Sequence, residues 1–172
     1  MLAQYCDSYD GWFPNNETDL WYKQLLNSDQ SIKSRNIFYC KPDRQIQESD
    51  MEPGWNGNFN YAWEYGYISY GFNHYNLSRK KDSQISKPSG ILFALDSASS
   101  YPNSMRGYSA VIPWCYYGMS IAAPKHGRSC NVMWVDGHAN SYHAVTPDHL
   151  YSEGVLGNCW SSKNNPWGPW HP

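Results

Sequence analysis

The chain has no long apolar run, few charged side chains and no closely spaced cysteines. No stretch approaches the roughly 18 apolar residues of a membrane span, so neither a span nor a secretory signal is predicted in it. Charged residues make up only 16% of the chain and its formal net charge is -2. Because no basic surface is available for a phosphate backbone, nucleic-acid binding is not expected.

Neither the cysteine spacing nor any catalytic motif indicates an enzyme. The cysteines form no Cys-x-x-Cys pair, so a zinc knuckle or thioredoxin motif is not predicted. Their odd number would leave at least one thiol unpaired in an exported protein, and the connectivity of the others stays open. No nucleophile elbow, phosphate loop or dinucleotide fingerprint is present. We therefore expect a non-enzymatic protein.

Tryptophan and tyrosine are abundant, with 9 Trp and 15 Tyr against 5 Phe. These side chains pack with one end and form hydrogen bonds with the other. Together with scattered Gly and Pro, they favour short strands joined by long polar loops that expose aromatic rings. A carbohydrate-binding module is one function that such a surface would serve. The candidate stacking residues are Trp55, Trp63, Trp160, Trp167 and Trp170.

The pattern of elements predicts a single α+β domain over residues 1–172. A helix is expected from Leu2 to Tyr9, ended by Asp10-Gly11, and a second through Leu26. Asn36 to Cys40 is predicted to be a short strand, and the apolar run Ile91 to Asp96 a buried central strand followed by a loop from Ser97. Residues 157–172 have no period and many prolines, which predicts an irregular C-terminal segment.

Residues 131–145 predict a β-hairpin. An apolar run from Asn131 to Val135 is followed by Asp136-Gly137, and an alternating segment returns from His138. Asp-Gly favours a two-residue type I′ turn, in which both central residues have positive φ. That turn would pair Val135 with His138 and Trp134 with Ala139.

His126 lies ten positions before Asp136, outside the predicted strand. Five strand residues span about 17 Å, which argues against a two-residue metal site made from the motif alone. The candidate metal ligands are Asp136, His126 and His138, and a hydrolase using His126 with Asp136 is a further alternative. A histidine near a β-turn is more often a structural hydrogen-bonding group than a ligand.

These residues resemble the prepilin-like proteins that carry the H-X9-DG domain. His126, Asp136 and Gly137 match the motif, and 131–135 matches its apolar strand. Four further segments resemble the family in the same order along the chain: LAQYCDSYDGWFP at 2–14, FYCKPD at 38–43, ISYGFN at 68–73 and ILFALDS at 91–97.

The resemblance implies a type IV pilin-like or pseudopilin-like head, with the end of an N-terminal helix at residues 1–9 packed on an antiparallel sheet with long aromatic-rich loops. It implies export to the periplasm or cell surface, with anchoring in the inner membrane through a helix that this sequence does not include. The expected partners are other pilin-like subunits, the type II secretion machinery or secreted protein, with polysaccharide as a further ligand. Related pseudopilins bind calcium, so calcium stays an alternative ligand whose binding residues cannot be assigned in this sequence, and no other cofactor is predicted.

Overall fold

The computed structural model describes residues 2–15, 19–28, 34–40, 68–99, 110–111, 120–144 and 150. Within these ranges the chain forms three α-helices, several 3-10 turns and six strands of one sheet. This confirms the predicted α+β class. None of the helices in these ranges has the length and apolar character that a membrane span requires.

Helices α1 (Leu2–Ser8) and α2 (Trp21–Ser28) form where the sequence predicts them, and α3 (His74–Leu77) is a single turn. Helix α1 ends because Asp10 (φ 53°) and Gly11 (φ 77°) adopt left-handed conformations. The amide of Gly11 then donates to the carbonyl of Cys6 at 2.7 Å. The hydroxyl of Tyr5 donates to Oε1 of Gln24 at 2.9 Å, which ties α1 to α2.

The sheet is largely antiparallel, as predicted, with one parallel pair between β1 and β3. The strands follow the order β3-β1-β2-β5-β6, while β4 pairs with the second half of β2. Both faces of β2 are covered, because its residues 92–98 are all buried. The strand bounds are β1 Tyr70–Asn73, β2 Leu92–Ser99, β3 Ala110–Val111, β4 Ser120–Ala122, β5 Ser129–Trp134 and β6 Ala139–His143.

Two apolar clusters hold the helices and the sheet together. In the first, the ring of Trp21 packs on those of Phe38, Phe72 and Phe93, with centroids 5.7–5.9 Å apart. This aromatic cluster joins α2 to β1 and β2. The second cluster gathers residues of β2 to β5 with two residues that follow β6: Leu92, Leu95, Val111, Ala122, Cys130, Val132, Trp134, Ala144 and Leu150.

Two sequence predictions about elements are wrong. The predicted strand at Asn36 to Cys40 contains a 3-10 turn, Arg35–Phe38, which buries Phe38 against Trp21 and leaves Ile37 exposed. The loop predicted from Ser97 begins later, because β2 continues to Ser99 to pair with β4. The predicted C-terminal segment, 157–172, lies outside the described residues.

Candidate functional site

Asp96 lies on β2 at the point where its partner changes from β5 to β4. Leu95 pairs with Val132 of β5, and Ser97 pairs with Ala122 of β4. Residues 123–128, here called the β4–β5 connection, therefore pass beside Asp96. The backbone carbonyl of Asp96 accepts from the amide of Ala123 at 2.8 Å.

The side chain of Asp96 fixes the start of β5. Its carboxylate is fully buried, and Oδ2 accepts a hydrogen bond from the backbone amide of Asn131 at 2.6 Å. A carboxylate that accepts a backbone N–H makes a strong, charge-assisted hydrogen bond. Asp96 thus holds the first residue of the β4–β5 connection, Ala123, through its backbone and holds β5 at Asn131 through its side chain.

The β4–β5 connection contains a tight turn that carries His126. His126 and Ser129 exchange two backbone hydrogen bonds, of 3.0 and 3.1 Å. The two residues between them, Gly127 (φ 59°) and Arg128 (φ 69°), both have positive φ. This is the two-residue, doubly left-handed turn that the sequence predicts at Asp136-Gly137. It fixes the position of the His126 side chain.

That position places His126 against Asp96. Nε2 of His126 lies 3.4 Å from Oδ1 of Asp96, and both atoms are buried without another hydrogen-bond partner in the described part of the chain. The distance exceeds the usual 2.7–3.2 Å of a hydrogen bond, so the contact is electrostatic at this geometry. About a third of the imidazole remains exposed, whereas Asp96 is completely enclosed.

The surroundings of Asp96 act on its charge in opposite directions. Burial raises the pKa of Asp96 above its ordinary value, and this outweighs the amide of Asn131 and the charges of His126 and Lys125, which lower it. Lys125 is itself almost fully buried. The neighbouring Cys130 has a raised pKa because of burial and, secondly, because of the charge of Asp96. Cys130 is therefore held as a thiol, the unreactive form.

The Asp136-Gly137 turn at the other end of β5 differs from its prediction. Gly137 has positive φ (91°) but Asp136 does not. The amide of Gly137 donates to the carbonyl of Trp134, and the amide of Trp134 donates to the carbonyl of His138. Three residues, 135–137, therefore form the loop, which is the longer hairpin type that ends in a left-handed glycine.

The extra loop residue shifts the register of the hairpin by one. Met133 pairs with Ala139, where the two-residue turn predicts Trp134 opposite Ala139, and Val135 is a loop residue rather than the partner of His138. The predicted register is thus wrong, although the hairpin itself is confirmed. Oδ1 of Asp136 accepts from the amide of His138 at 3.2 Å, which stabilises the longer loop.

Asp136 and His138 form a second, exposed acid–histidine pair. Nδ1 of His138 lies 2.5 Å from Oδ1 of Asp136, and its ring stacks on Trp134 with centroids 5.5 Å apart. Desolvation raises the pKa of Asp136, but the hydrogen bonds and charge of His138 outweigh it, so that pKa lies below its ordinary value.

The three candidate metal ligands do not form one group. His126 contacts Asp96, while Asp136 contacts His138, and the six residues of β5 between them span about 20 Å. Among the described residues, no three His, Cys, Asp or Glu side chains are arranged to hold a metal ion. The candidate stacking residues Trp55, Trp63, Trp160, Trp167 and Trp170 lie outside the described residues.

No protein-family profile, curated protein or solved structure matches this chain.

Sequence reasoning placed Asp96 at the end of a strand but not in a site. The one available signal is the run Ile-Leu-Phe-Ala-Leu directly before it, which predicts burial of the whole strand and hence of a carboxylate that needs a partner. Nothing in the spacing identifies that partner as His126. Tyr9 and Trp12 are exposed aromatic residues that no sequence pattern indicated as candidate stacking residues.

Proposed function

We propose that this chain is the non-enzymatic head of a pilin-like or pseudopilin-like subunit, exported and assembled at the cell envelope, where it contacts neighbouring subunits, secreted protein or glycan. The observation that carries the proposal is the division of the H-X9-DG motif between two structural tasks. His126 contacts the buried Asp96, and Gly137 supplies a left-handed turn residue. Assembly subunits of one family share a fold while their surfaces differ. A motif whose residues serve the fold, and not a reaction, suits such a family.

The arrangement of the N-terminal helix also supports the proposal. Leu2, Tyr5 and Cys6 of α1 are buried in the apolar cluster that also contains Trp21 of α2 and Phe72 and Phe93 of the sheet. In the proposed pilin-like head, α1 would be the end of the filament-forming helix. The left-handed turn at Asp10-Gly11 then directs the chain away from the helix axis.

The test is the reading frame upstream of Met1, followed by processing of its product. The proposal predicts a short basic leader, a prepilin peptidase site and about 20 apolar residues, enough to span a bilayer. Co-expression with a prepilin peptidase should shorten the full-length protein by the length of the leader. A conventional secretory signal, or a fused glycosidase domain, would contradict the proposal.

Carbohydrate binding is a second candidate, which Tyr9 and Trp12 favour. Both residues are more than 40% exposed, and one face of the Tyr9 ring stacks on Tyr5. The ammonium of Lys81 lies 5.1 Å from the centre of the Trp12 ring and also pairs with Asp10. Two backbone hydrogen bonds hold the turn that carries them. The amide of Phe13 donates to the carbonyl of Lys80, and the amide of Asp82 donates to the carbonyl of Gly11. A rigid aromatic surface beside charged hydrogen-bonding groups is suited to sugar rings.

Titration of tryptophan fluorescence with plant and algal polysaccharides tests this second candidate. Binding that is lost in Trp12→Ala but kept in Ile37→Ala, a change at another exposed apolar residue, would support it. An unchanged fluorescence signal across the panel would count against it.

A further inference from the structure

We infer that Asp96 and His126 form a proton-linked contact: the folded protein holds one titratable proton on this pair, and that proton keeps the β4–β5 connection closed against the sheet. The position of the β4–β5 connection against the sheet therefore depends on pH. This behaviour does not require assembly into a filament, so its test is independent of the proposed function.

Within the described part of the chain, each of the two facing atoms can form a hydrogen bond only with the other. Oδ1 of Asp96 and Nε2 of His126 are buried, 3.4 Å apart, and have no other hydrogen-bond partner among the described residues. A neutral imidazole with its proton on Nε2 can donate to the ionised carboxylate, which leaves one buried negative charge on the pair, whereas one additional proton makes the pair neutral. A buried pair with no net charge is much less costly than an isolated buried carboxylate. The enclosed position of Asp96 therefore favours the pair that carries the additional proton.

Other groups around Asp96 weaken the preference for the protonated pair without reversing it. Lys125 approaches from the same connection as His126, and Cys130 from β5, while Tyr70 is the register partner of Asp96 on β1. Lys125 and the amide of Asn131 favour the ionised carboxylate, and Cys130 is a neutral thiol. Burial nevertheless leaves the pKa of Asp96 above its ordinary value.

The direction of the pH dependence follows from that raised pKa. The folded chain keeps the proton of Asp96 to a higher pH than the unfolded chain, in which an aspartate carboxyl has a pKa of about 3.9. The contribution of this proton to stability is therefore complete below about pH 4 and is lost as the pH rises through the folded-state pKa of Asp96. The contact should weaken with increasing pH, not with acid.

Loss of the contact should release the β4–β5 connection, where a protease can detect it. Lys125 is a trypsin site that is almost fully buried, whereas Arg79, on the turn after α3, is exposed. The rate of cleavage after Lys125 relative to that after Arg79 therefore reports opening of the connection. The pH dependence of trypsin itself cancels in this ratio.

The experiment measures this ratio from about pH 5 to about pH 9 in the wild type, Asp96→Asn and His126→Ala, with Asp136→Asn and His138→Gln as controls at the exposed pair. In the wild type the ratio should rise roughly tenfold across this range. In Asp96→Asn it should stay low and flat, because the amide oxygen can accept from Asn131 while the amide nitrogen donates to His126. In His126→Ala it should be high throughout, because no polar side chain then faces Oδ1 of Asp96, and the two controls should follow the wild type.

A second measurement needs no substitution. The ¹³C shift of the Asp96 carboxyl carbon, followed over the same pH range in the wild type, should show one change that coincides with the rise in cleavage. A wild-type ratio that stays flat with pH would overturn the inference. So would a pH-dependent ratio that persists unchanged in Asp96→Asn.

Discussion

Nε2 of His126 lies 3.4 Å from Oδ1 of Asp96 on β2, whereas the carboxylate of Asp136 lies against His138. The histidine and the aspartate of the motif thus have separate partners at the two ends of β5. The nine residues between them are the strand β5, Ser129–Trp134, with two turn residues before it and one after it. The motif does not bring two reacting groups together in this structure.

Replacement of Gly137 tests the left-handed turn at the tip of the hairpin. With φ at 91° and no atom within 4 Å of an added Cβ, the residue is constrained by backbone conformation and not by space. Gly137→Val should lower the free energy of unfolding by about 1–3 kcal/mol, because a β-branched residue is poorly tolerated at positive φ. Urea unfolding provides the measurement. Gly137→Asn should cost less. Gly90→Val should cost little, because Gly90 does not have positive φ and an added Cβ would make only an ordinary contact with Cβ of Lys87 at 3.9 Å. Equal losses in all three would contradict this explanation.

Gly71 on β1 is constrained by space instead. A Cβ at this position would lie 2.8 Å from Cβ of Val111 and 2.9 Å from Cβ of Ser97. Gly71→Ala should therefore overpack the junction of β1, β2 and β3 and destabilise the protein by about 1–3 kcal/mol. The same substitution at Gly90 serves as the control in thermal or urea unfolding. A neutral Gly71→Ala would show that β3 does not pack on β1 as described.

The buried thiols should resist alkylation in the native protein. Burial, followed by the charges of Asp82 and Asp7, raises the pKa of Cys6 to about 11, and burial also raises the pKa of Cys130. At pH 8 only about one Cys6 side chain in a thousand would be the reactive thiolate. Iodoacetamide labelling read by peptide mass spectrometry should leave both residues unmodified until denaturant is added. Labelling of either one at the denatured rate would contradict the packing described.

Removal of Gln24 should separate α1 from α2. Its amide accepts from the hydroxyl of Tyr5 and from the backbone of Asn15, and donates to the carbonyls of Asn15 and Asp19. Gln24→Ala should cost about 1–3 kcal/mol in unfolding free energy, since it leaves several partners unsatisfied. Tyr5→Phe, which removes one of these hydrogen bonds, should cost about 1 kcal/mol. If Gln24→Ala costs no more than Tyr5→Phe, the network does not join the helices.

The elements that could be predicted from the sequence are those with strong local patterns. The apolar run before Asp96 predicts β2, and the helical spacing of Leu20, Trp21 and Leu25 predicts α2. The short run from Asn36 to Cys40 is β-prone, but the burial of Phe38 against Trp21 determines a 3-10 turn there instead. A tertiary contact thus overrides a weak local preference.

The pairings around the candidate site could not be predicted, because they depend on distant residues and on single backbone angles. Asp-Gly is compatible with a two-residue or a three-residue hairpin loop, and the hydrogen bond from His138 to Asp136 favours the longer one. Gly127-Arg128 forms the doubly left-handed turn although Arg is not typical of it. The contact of His126 with Asp96 arises only when β4 and β5 meet at the same point on β2.

The most direct test of the assignment of His126 is a pair of double-mutant cycles. Unfolding free energies of His126→Ala, Asp96→Ala and the double variant give the coupling between these two residues, and the same cycle with Asp136→Ala gives the coupling across the motif. Residues in direct contact couple by about 0.5–3 kcal/mol, whereas separated residues are additive within about 0.5 kcal/mol. The structure predicts coupling of His126 to Asp96 and additivity with Asp136. Additivity with Asp96, together with coupling to Asp136, would contradict it.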